Sequence, residues 1–169
     1  MTEIIIIRND FSIIYSSIMY KYEIISSYKE DDIALYDAIY KATKDTSRYY
    51  QQYRRWFYVR FLQGLKAQTR IIVYCLCPND EIAGVILLKK TPAENKICNL
   101  RVCEQYQRKG IASTLIEKSL QIFGKQRPLL TISESNYPKF AKLLEKYNFK
   151  LQDTQTGKYL GTEKELYFI

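Results

Sequence analysis

A short run of residues in the second half of the chain combines small side chains with positive charge. Residues 107–113 read QRKGIAS, so Arg108 and Lys109 stand directly before Gly110. A β-rich run ends at Val102, and apolar residues at helical spacing follow the glycine. The first backbone N–H groups of a helix have no intrahelical partner and carry partial positive charge. Small residues let a phosphate approach them, so this strand-to-helix turn predicts a pyrophosphate site.

Other phosphate-binding turns are excluded by what this run lacks. A P-loop needs two glycines in a fixed frame and a Gly-Lys-Ser/Thr ending, and residues 107–113 have neither. A dinucleotide-binding turn needs three glycines and a later acid for the ribose, which are also missing. An ordinary helix start with a tolerated glycine stays open as the alternative.

The chain contains no histidine, which excludes several kinds of site at once. Ser-His-Asp and Cys-His nucleophiles, histidine general bases and histidine-ligated zinc all require this residue. The four cysteines lack the paired spacing of a zinc site. We therefore expect buried free thiols, no metal, and a reduced, cytoplasmic protein. The cysteines are Cys75, Cys77, Cys98 and Cys103.

The segments around the turn predict an α/β fold. The chain has no repeat, linker or low-complexity tract, so residues 1–169 are expected to form one domain. Helical spacing predicts helices after the acids at 30–32, at 47–68 in one or two pieces, after Gly110, and at 138–147. The sum is a central mixed sheet of about six or seven strands with about four helices. The predicted strands are 21–26, 70–77, 82–89, 96–102, 129–133, 149–154 and 164–168.

The first twenty residues are rich in Ile and Tyr and are expected to form an N-terminal extension, as a strand or a hairpin. Four consecutive isoleucines at 4–7 are too few for a signal-peptide core or a membrane span. No other segment reaches spanning length, so we expect no membrane association. Exposed strands at 1–20 or at the C-terminal end could pair two subunits, which leaves a homodimer open.

Residues 102–120 resemble the acyl-CoA signature of the GNAT superfamily of N-acyltransferases. The stretch VCEQYQRKGIASTLIEKSL is similar to the family pattern V-x-P-x-Y-Q/R-x-x-G-x-G/A-x-x-L-I, with Ala112 at the small-residue place. The resemblance covers residues 22–168 and is strongest at 96–123. It implies a GNAT-like domain that uses acetyl-CoA as co-substrate, without a metal. The implied reaction is direct transfer of the acetyl group to a primary amine in a ternary complex.

The resemblance also assigns residues to acetyl-CoA. In the family, the strand before the turn offers its main chain to the pantetheine, the next strand splays away, and an Asn follows that strand. Here Asn136 is the candidate, although an ungapped count from Phe149 puts Tyr137 at that place. The implied cofactor-binding residues are Leu100, Val102, Gln107, Arg108, Lys109, Gly110, Ile111, Ala112, Ser113 and Asn136.

The catalytic groups are less well matched. The family's later helix carries a tyrosine that serves as general acid, but Leu144 takes that place here, and leucine has no proton to donate. Tyr147 lies three residues later on nearly the same helical face and is the candidate catalytic residue, with packing as the alternative. An acyl-CoA-binding protein with little catalysis therefore stays open. No base is assigned, although three glutamates lie near the strand 96–102: Glu81, Glu94 and Glu104.

The stretch 47–70 holds six basic residues, seven aromatic residues and no acid. Such a mixture can bind single-stranded nucleic acid, and the net charge of +8 suits RNA as well as the phosphates of acetyl-CoA. The alternative is a core helix with a solvated basic face. The acceptor amine could thus belong to a small molecule, a peptide or an aminoacyl-tRNA, and an RNA-binding module stays open. By the resemblance, residues that border the acceptor are Arg54, Arg55, Trp56 and Tyr58.

Overall fold

The computed structural model describes residues 20–48, 50–157 and 161–169. In this part of the chain seven strands form one sheet, in the order β1-β2-β3-β4-β5-β7-β6. Only β4 and β5 pair in parallel. The hairpin predicted for residues 1–20 lies outside the described residues, apart from Tyr20. The strands are β1 (Lys21–Ile25), β2 (Arg70–Leu76), β3 (Ile82–Lys90), β4 (Asn95–Val102), β5 (Leu129–Ser133), β6 (Leu151–Thr156) and β7 (Lys164–Phe168).

Four helices complete the fold, so the predicted α/β fold with a mixed central sheet is confirmed. The acids Glu30–Asp32 form a 3-10 turn that leads into α1 (Ile33–Thr43). Helix α2 consists of α-helical Tyr53–Arg55 and Leu62–Lys66 on either side of a π-helical segment, Trp56–Phe61. The other two helices are α3 (Ile111–Phe123) and α4 (Tyr137–Lys146). None of the described helices is long and apolar enough to span a membrane.

The π-helical segment follows from the spacing of the buried side chains of α2. Tyr53, Phe57, Phe61 and Leu65 are buried and recur every four residues, whereas an α-turn holds 3.6 residues. A π-turn holds more residues than an α-turn, so inserting one keeps this stripe against the sheet. Arg54 and Arg55 lie on the exposed side. The structure thus shows a core helix with a solvated basic face.

The central strands are buried on both faces because each face of the sheet carries a core. Tyr36 and Ile39 of α1 pack with buried residues of α2 on one side, here called the α1/α2 face. Leu115 of α3 and Leu144 of α4 pack on the other, the α3/α4 face. Side chains alternate between the faces along a strand, which explains the nearly continuous apolar run of β3.

Strands β4 and β5 diverge. They pair only where Lys96 and Ile97 meet Leu129 and Leu130. Beyond this point β4 follows β3 as far as Val102, while β5 follows β7. The register of β4 against β3 skips Cys98, which marks a bulge, and bulges bend a strand locally. The outcome is a gap in the middle of the sheet.

Candidate active site

A cavity of about 1050 Å³ occupies the gap between β4 and β5. Its lining includes Ala112 of α3 and Phe140 of α4, and also Thr46 and Tyr53 from the opposite side of the sheet. The cavity therefore reaches both the α3/α4 face and the α1/α2 face. Its volume is at the upper end of the range usual for ligand sites in proteins. Two reactants can enter from opposite faces and meet where the strands separate.

The turn before α3 presents unpaired backbone donors. Arg108 and Gly110 have positive φ angles of 61° and 80°, and alternating backbone conformations of this kind form concave anion sites. In the described part of the chain, no acceptor takes a hydrogen bond from the N–H groups of residues 108–113. A Cβ at Gly110 would meet nothing within 4 Å, so glycine is needed there for its φ angle and not for space.

Two residues that the resemblance assigns to acetyl-CoA hold the turn instead of facing the cavity with a free side chain. Gln107 donates from Nε2 to the Val102 carbonyl at 3.2 Å. The Lys109 ammonium lies 5.6 Å from the centre of the Tyr106 ring, and Lys109 is absent from the cavity lining. Tyr106 in turn donates to a carboxylate oxygen of Glu81 at 2.9 Å. These contacts fasten the turn to the end of β4 and to the β2–β3 hairpin.

The first turn of α3 lies unusually close to the sheet. Ile111 is buried, and a Cβ at Gly84 of β3 would lie 2.9 Å from Ile111 Cγ2 and 3.2 Å from the Arg101 carbonyl oxygen. Gly84 therefore permits the approach that brings α3 to the gap. The side chain of Ile111 is used for packing, which leaves its main chain to face the cavity. Ala112 and Ser113 line the cavity as well.

The main chain of β4 faces the gap at alternate residues. The Cys103 N–H donates to the Ala83 carbonyl of β3 at 2.9 Å. Because the backbone groups of successive residues in a strand point in opposite directions, those of Leu100 and Val102 point away from β3. Both residues line the cavity. An amide-bearing chain such as pantetheine could form hydrogen bonds there as an added strand would. The Val102 carbonyl oxygen already accepts a hydrogen bond from Gln107.

Asn136 lies at the cavity, and Tyr137 does not. Asn136 precedes α4, lines the cavity, and donates from Nδ2 to Ser133 Oγ at 3.0 Å. Its Oδ1 accepts a hydrogen bond from Lys139 at 3.2 Å. Tyr137 is 39% exposed and stacks on Phe168. Of the two alignments considered from the sequence, the structure places the Asn136 alternative at the cavity.

Tyr147 lies at the junction of two helices. Its hydroxyl is within hydrogen-bond distance of the Ser113 carbonyl, at 3.2 Å, and of the Glu117 carboxylate, at 2.5 Å. Tyr147 is absent from the cavity lining, whereas Leu144 is present in it. This geometry favours a role in fixing α4 against α3. The assignment of Tyr147 as a proton donor stays a prediction.

We expect Tyr147→Phe to leave kcat within about threefold of the wild type, because the hydroxyl contacts α3 and not the cavity. Losing its hydrogen bonds should lower the free energy of unfolding by about 1 kcal/mol. Turnover and thermal unfolding measure the two effects. Tyr36→Phe, which also removes a hydrogen-bonded hydroxyl and lies outside the cavity lining, is the matched control. A drop in kcat of about 100-fold in Tyr147→Phe alone would instead support Tyr147 as the general acid.

Polar contacts fix the α1/α2 face of β4. The Asn99 Nδ2 donates to Thr46 Oγ1 at 2.7 Å and lies 3.4 Å from Tyr53 Oη. Arg101 forms a salt bridge of 2.7 Å with Asp45. All five residues line the cavity. The segment after α1 is therefore held across β4, where it borders the space opposite α3.

The glutamates divide into those that face the cavity and those that do not. Of the three considered from the sequence, Glu81 bonds to Tyr106 and lies outside the lining. Glu94 and Glu104 do line the cavity, but Glu94 pairs with Lys89 and Glu104 is exposed beside the turn. Sequence reasoning missed Glu165, which is 9% exposed and lines the cavity. Its one signal was an acid directly before the apolar residues Leu166–Phe168 of the terminal strand.

Strand alternation places Glu165 on the α1/α2 face of the sheet. Leu166 and Phe168 of β7 pack on the α3/α4 core. Because side chains alternate along a strand, Glu165 and Tyr167 point to the other face. Ser133 of β5 is the register partner of Glu165 and is likewise buried at the cavity. A carboxylate thus lies across the gap from β4, on the face opposite the turn that precedes α3.

Comparison with known proteins agrees with this geometry. A model of the acetyltransferase (GNAT) family matches residues 33–149. An N-alpha-acetyltransferase of Saccharolobus solfataricus is 29% identical over 122 residues, which are 63% of this chain and 72% of that protein. The match to the family model spans the chain from the start of α1 to the residues just after α4, and so includes the turn and both strands that diverge.

Solved structures share the fold. The PaiA N-acetyltransferase of Thermoplasma acidophilum in complex with coenzyme A has a TM-score of 0.64 at 16% identity, covering 87% of this chain and 98% of that one. A GNAT family acetyltransferase of Elizabethkingia anophelis with acetyl-CoA bound has a TM-score of 0.58 at 14% identity, covering 88% and 95%. With more than half of its residues matched by the family model, the chain belongs to the GNAT family of N-acetyltransferases.

Proposed function

We propose that the protein transfers an acetyl group from acetyl-CoA to a primary amine, directly and within a ternary complex. The observation that carries this proposal is the cavity that crosses the sheet between β4 and β5. It has unpaired backbone donors at one end and a buried carboxylate at the other. The name of the Saccharolobus relative favours the α-amine of a peptide or protein as the acceptor.

The residues of the α3/α4 face fit acetyl-CoA. The unpaired N–H groups of residues 108–113 and the Arg108 guanidinium can hold the pyrophosphate, and the main chain of Leu100 and Val102 can pair with the pantetheine. Asn136 can add a side-chain amide near the same arm. When bound, acetyl-CoA supplies an acyl group activated as a thioester. The protein then contributes mainly the orientation of donor and amine.

The α1/α2 face fits the amine. An ammonium group must lose a proton before it can act as a nucleophile, and an attacking amine loses a proton when the amide forms. A carboxylate can accept either proton. Glu165 is the buried carboxylate at this face of the cavity. We assign it as the proton acceptor, with the buried hydroxyl of Ser133 beside it in register.

Direct transfer is favoured because the thiol at the cavity is a poor nucleophile. Cys98 alone among the four cysteines lines the cavity, and burial raises the pKa of its thiol to about 11. The thiolate is the reactive form of cysteine, and it is scarce at neutral pH when the pKa is so high. An acetyl-cysteine intermediate at Cys98 is therefore disfavoured.

We expect Cys98→Ala to keep kcat within about threefold of the wild type. Mass spectrometry of protein incubated with acetyl-CoA alone should show no acetyl group on the peptide that contains Cys98. Cys103→Ala, which changes a thiol outside the cavity lining, is the control. Loss of activity in Cys98→Ala alone, together with an acetylated peptide, would replace direct transfer by a two-step route.

Calorimetry and a transfer assay together test the function. Titration of the purified protein with coenzyme A should show binding, and labelled acetyl-CoA should transfer its label to members of a panel of peptides and small amines. Absence of coenzyme A binding would end the proposal. Binding without transfer to any amine would support the acyl-CoA-binding alternative. If the acceptor were RNA-borne, its Michaelis constant would rise steeply with salt.

A further inference from the structure

Three basic residues stand side by side on the α1/α2 face of the sheet. Arg70 of β2 is the register partner of Lys89 of β3, and Lys89 is the partner of Lys96 of β4. Residues directly opposite each other in antiparallel strands project from the same face, where like charges repel. All three line the cavity. We call Arg70, Lys89 and Lys96 the basic row.

The protein compensates only part of this charge. Glu94 forms a salt bridge with Lys89. In the described part of the chain Arg70 and Lys96 form no salt bridge. The Arg70 Nη1 donates to the carbonyl and hydroxyl oxygens of Thr69, which are neutral, at 2.9 and 3.3 Å. The row therefore keeps a surplus of positive charge at the wall of the acceptor side of the cavity.

The arginine of the row is held in place by its surroundings. A Cβ at Gly64 of α2 would lie 2.6 Å from Arg70 Cγ, so the absence of a side chain there makes room for Arg70. The Arg70 Nε is buried without a hydrogen-bond partner. A buried unsatisfied donor is costly, and few are found in native proteins. The other guanidinium nitrogen atoms can still hold an anion through charge-assisted hydrogen bonds.

We propose that the basic row binds a carboxylate of the acceptor, so that the preferred substrates carry an acidic group near the amine that is acetylated. This inference rests on the proposed function, because it places the amine on the α1/α2 face. The carboxylate can come from an acidic residue in a peptide or from a free amino acid. RNA is disfavoured because, among the described residues, only Arg70 and Lys96 of the row lack a salt bridge, and two cations suit one carboxylate better than the many phosphates of an RNA.

The first test compares acceptors that differ by one charge. Two peptides with the N-terminal sequences Ser-Glu and Ser-Gln, otherwise identical, are assayed with acetyl-CoA, as are the free amino acid serine and its amide serinamide, which differ in the carboxylate beside the amine. We expect kcat/KM to be at least about fivefold higher for the acidic peptide, which corresponds to about 1 kcal/mol. A preference seen only between serine and serinamide would assign the carboxylate to a small substrate. Equal rates within both pairs would overturn the inference.

The second test removes the row. Arg70→Gln with Lys96→Gln should abolish the preference for the acidic acceptor and leave the KM for acetyl-CoA unchanged. Lys125→Gln removes one positive charge at a residue outside the cavity lining and should keep the preference. Lys96→Gln alone, at a half-buried residue with no ion pair, tests the row if the double variant does not fold. A preference that survives loss of the row would overturn the inference.

Binding measured by fluorescence anisotropy separates this inference from the proposed function. Labelled Ser-Glu and Ser-Gln peptides are titrated with the protein in the presence of coenzyme A. Tighter binding of the acidic peptide without any transfer would support the row and end the proposed function. Transfer without a preference in rate or binding would support the proposed function and overturn the inference that the basic row binds a carboxylate. Stronger binding of a labelled oligonucleotide, lost in the double variant, would overturn the assignment to a carboxylate.

Discussion

Replacing Glu165 by Gln should lower kcat about 100-fold, because the amide cannot accept the proton that the amine loses. The side chain keeps its size and polarity, and it lines the acceptor side of the cavity. The KM for acetyl-CoA should therefore stay within about twofold. Steady-state kinetics over a range of pH measures both effects.

Glu104→Gln is the matched control for Glu165→Gln. Glu104 also lines the cavity, but it is exposed beside the turn that precedes α3, so we expect its kcat to stay near that of the wild type. Glu165→Asp keeps the carboxylate on a shorter side chain and should recover part of the activity. Thermal unfolding and coenzyme A binding show whether each variant is folded. Equal kcat values for Glu165→Gln and Glu104→Gln would refute the assignment of the base.

Replacing Gly110 by Ala should weaken coenzyme A binding by about 5- to 30-fold. Gly110 has a φ of 80° and a ψ of −4°, and a residue with a Cβ in this left-handed conformation costs about 1–2 kcal/mol. The turn can relieve that cost only by rotating, which moves the N–H groups of residues 108–113 away from a common centre. Each 1.4 kcal/mol of lost binding corresponds to about tenfold in the dissociation constant. Calorimetry with coenzyme A measures it.

Gly124→Ala provides a control in the same helix. Gly124 follows the C-terminus of α3, has a φ of 70° and a ψ of −131°, and has open space around its Cβ position. Its substitution should lower stability at least as much as Gly110→Ala, since this conformation suits glycine alone. The affinity for coenzyme A should be unchanged, because Gly124 lies outside the cavity lining. Equal losses of affinity in both variants would show that the effect at Gly110 is only one of stability.

The donor side of the site could be predicted from the sequence because it is local. The end of β4, the turn and the first turn of α3 occupy residues 100–113, and all but Lys109 of the nine residues assigned in that stretch line the cavity. A glycine beside Arg108, between a β-rich run and an apolar helical stripe, carries enough information for this geometry. The main-chain role assigned to Leu100 follows from strand alternation in the same way.

The acceptor side could not be predicted because it is assembled from distant segments. The basic row depends on the register that brings Arg70 opposite Lys89 and Lys89 opposite Lys96. The position of Glu165 depends on the pairing of β7 with β5. The two strands are neighbours in the sheet, although β5 precedes β7 by about thirty residues in the chain. The bulge at Cys98 leaves no trace in the apolar pattern of β4. Such features are set by non-local pairing, which single-sequence patterns do not encode.

For the stretch 47–70 the sequence likewise did not determine which side chains are buried. Its charges and aromatic rings were consistent with an RNA-binding surface and with a core helix. Burial shows the core helix: Tyr53, Phe57 and Phe61 are at most 1% exposed, while the arginines between them face solvent. RNA binding by that basic face stays a prediction. A four-residue aromatic repeat fits the sheet only with the π-helical segment in place.

The sequence by itself determined the α/β fold, its mixed sheet and the turn at Gly110, because strand alternation, helical periodicity and glycine's tolerance of a positive φ are local properties. The tertiary structure alone decided that β4 and β5 separate beyond Ile97. It also turned Tyr147 toward α3 and brought Glu165 and the basic row to one face of the cavity. These features arise from which strands pair and in what register. The sequence thus specified the turn that we propose binds acetyl-CoA, and the packing of distant strands specified the face that we propose binds the amine.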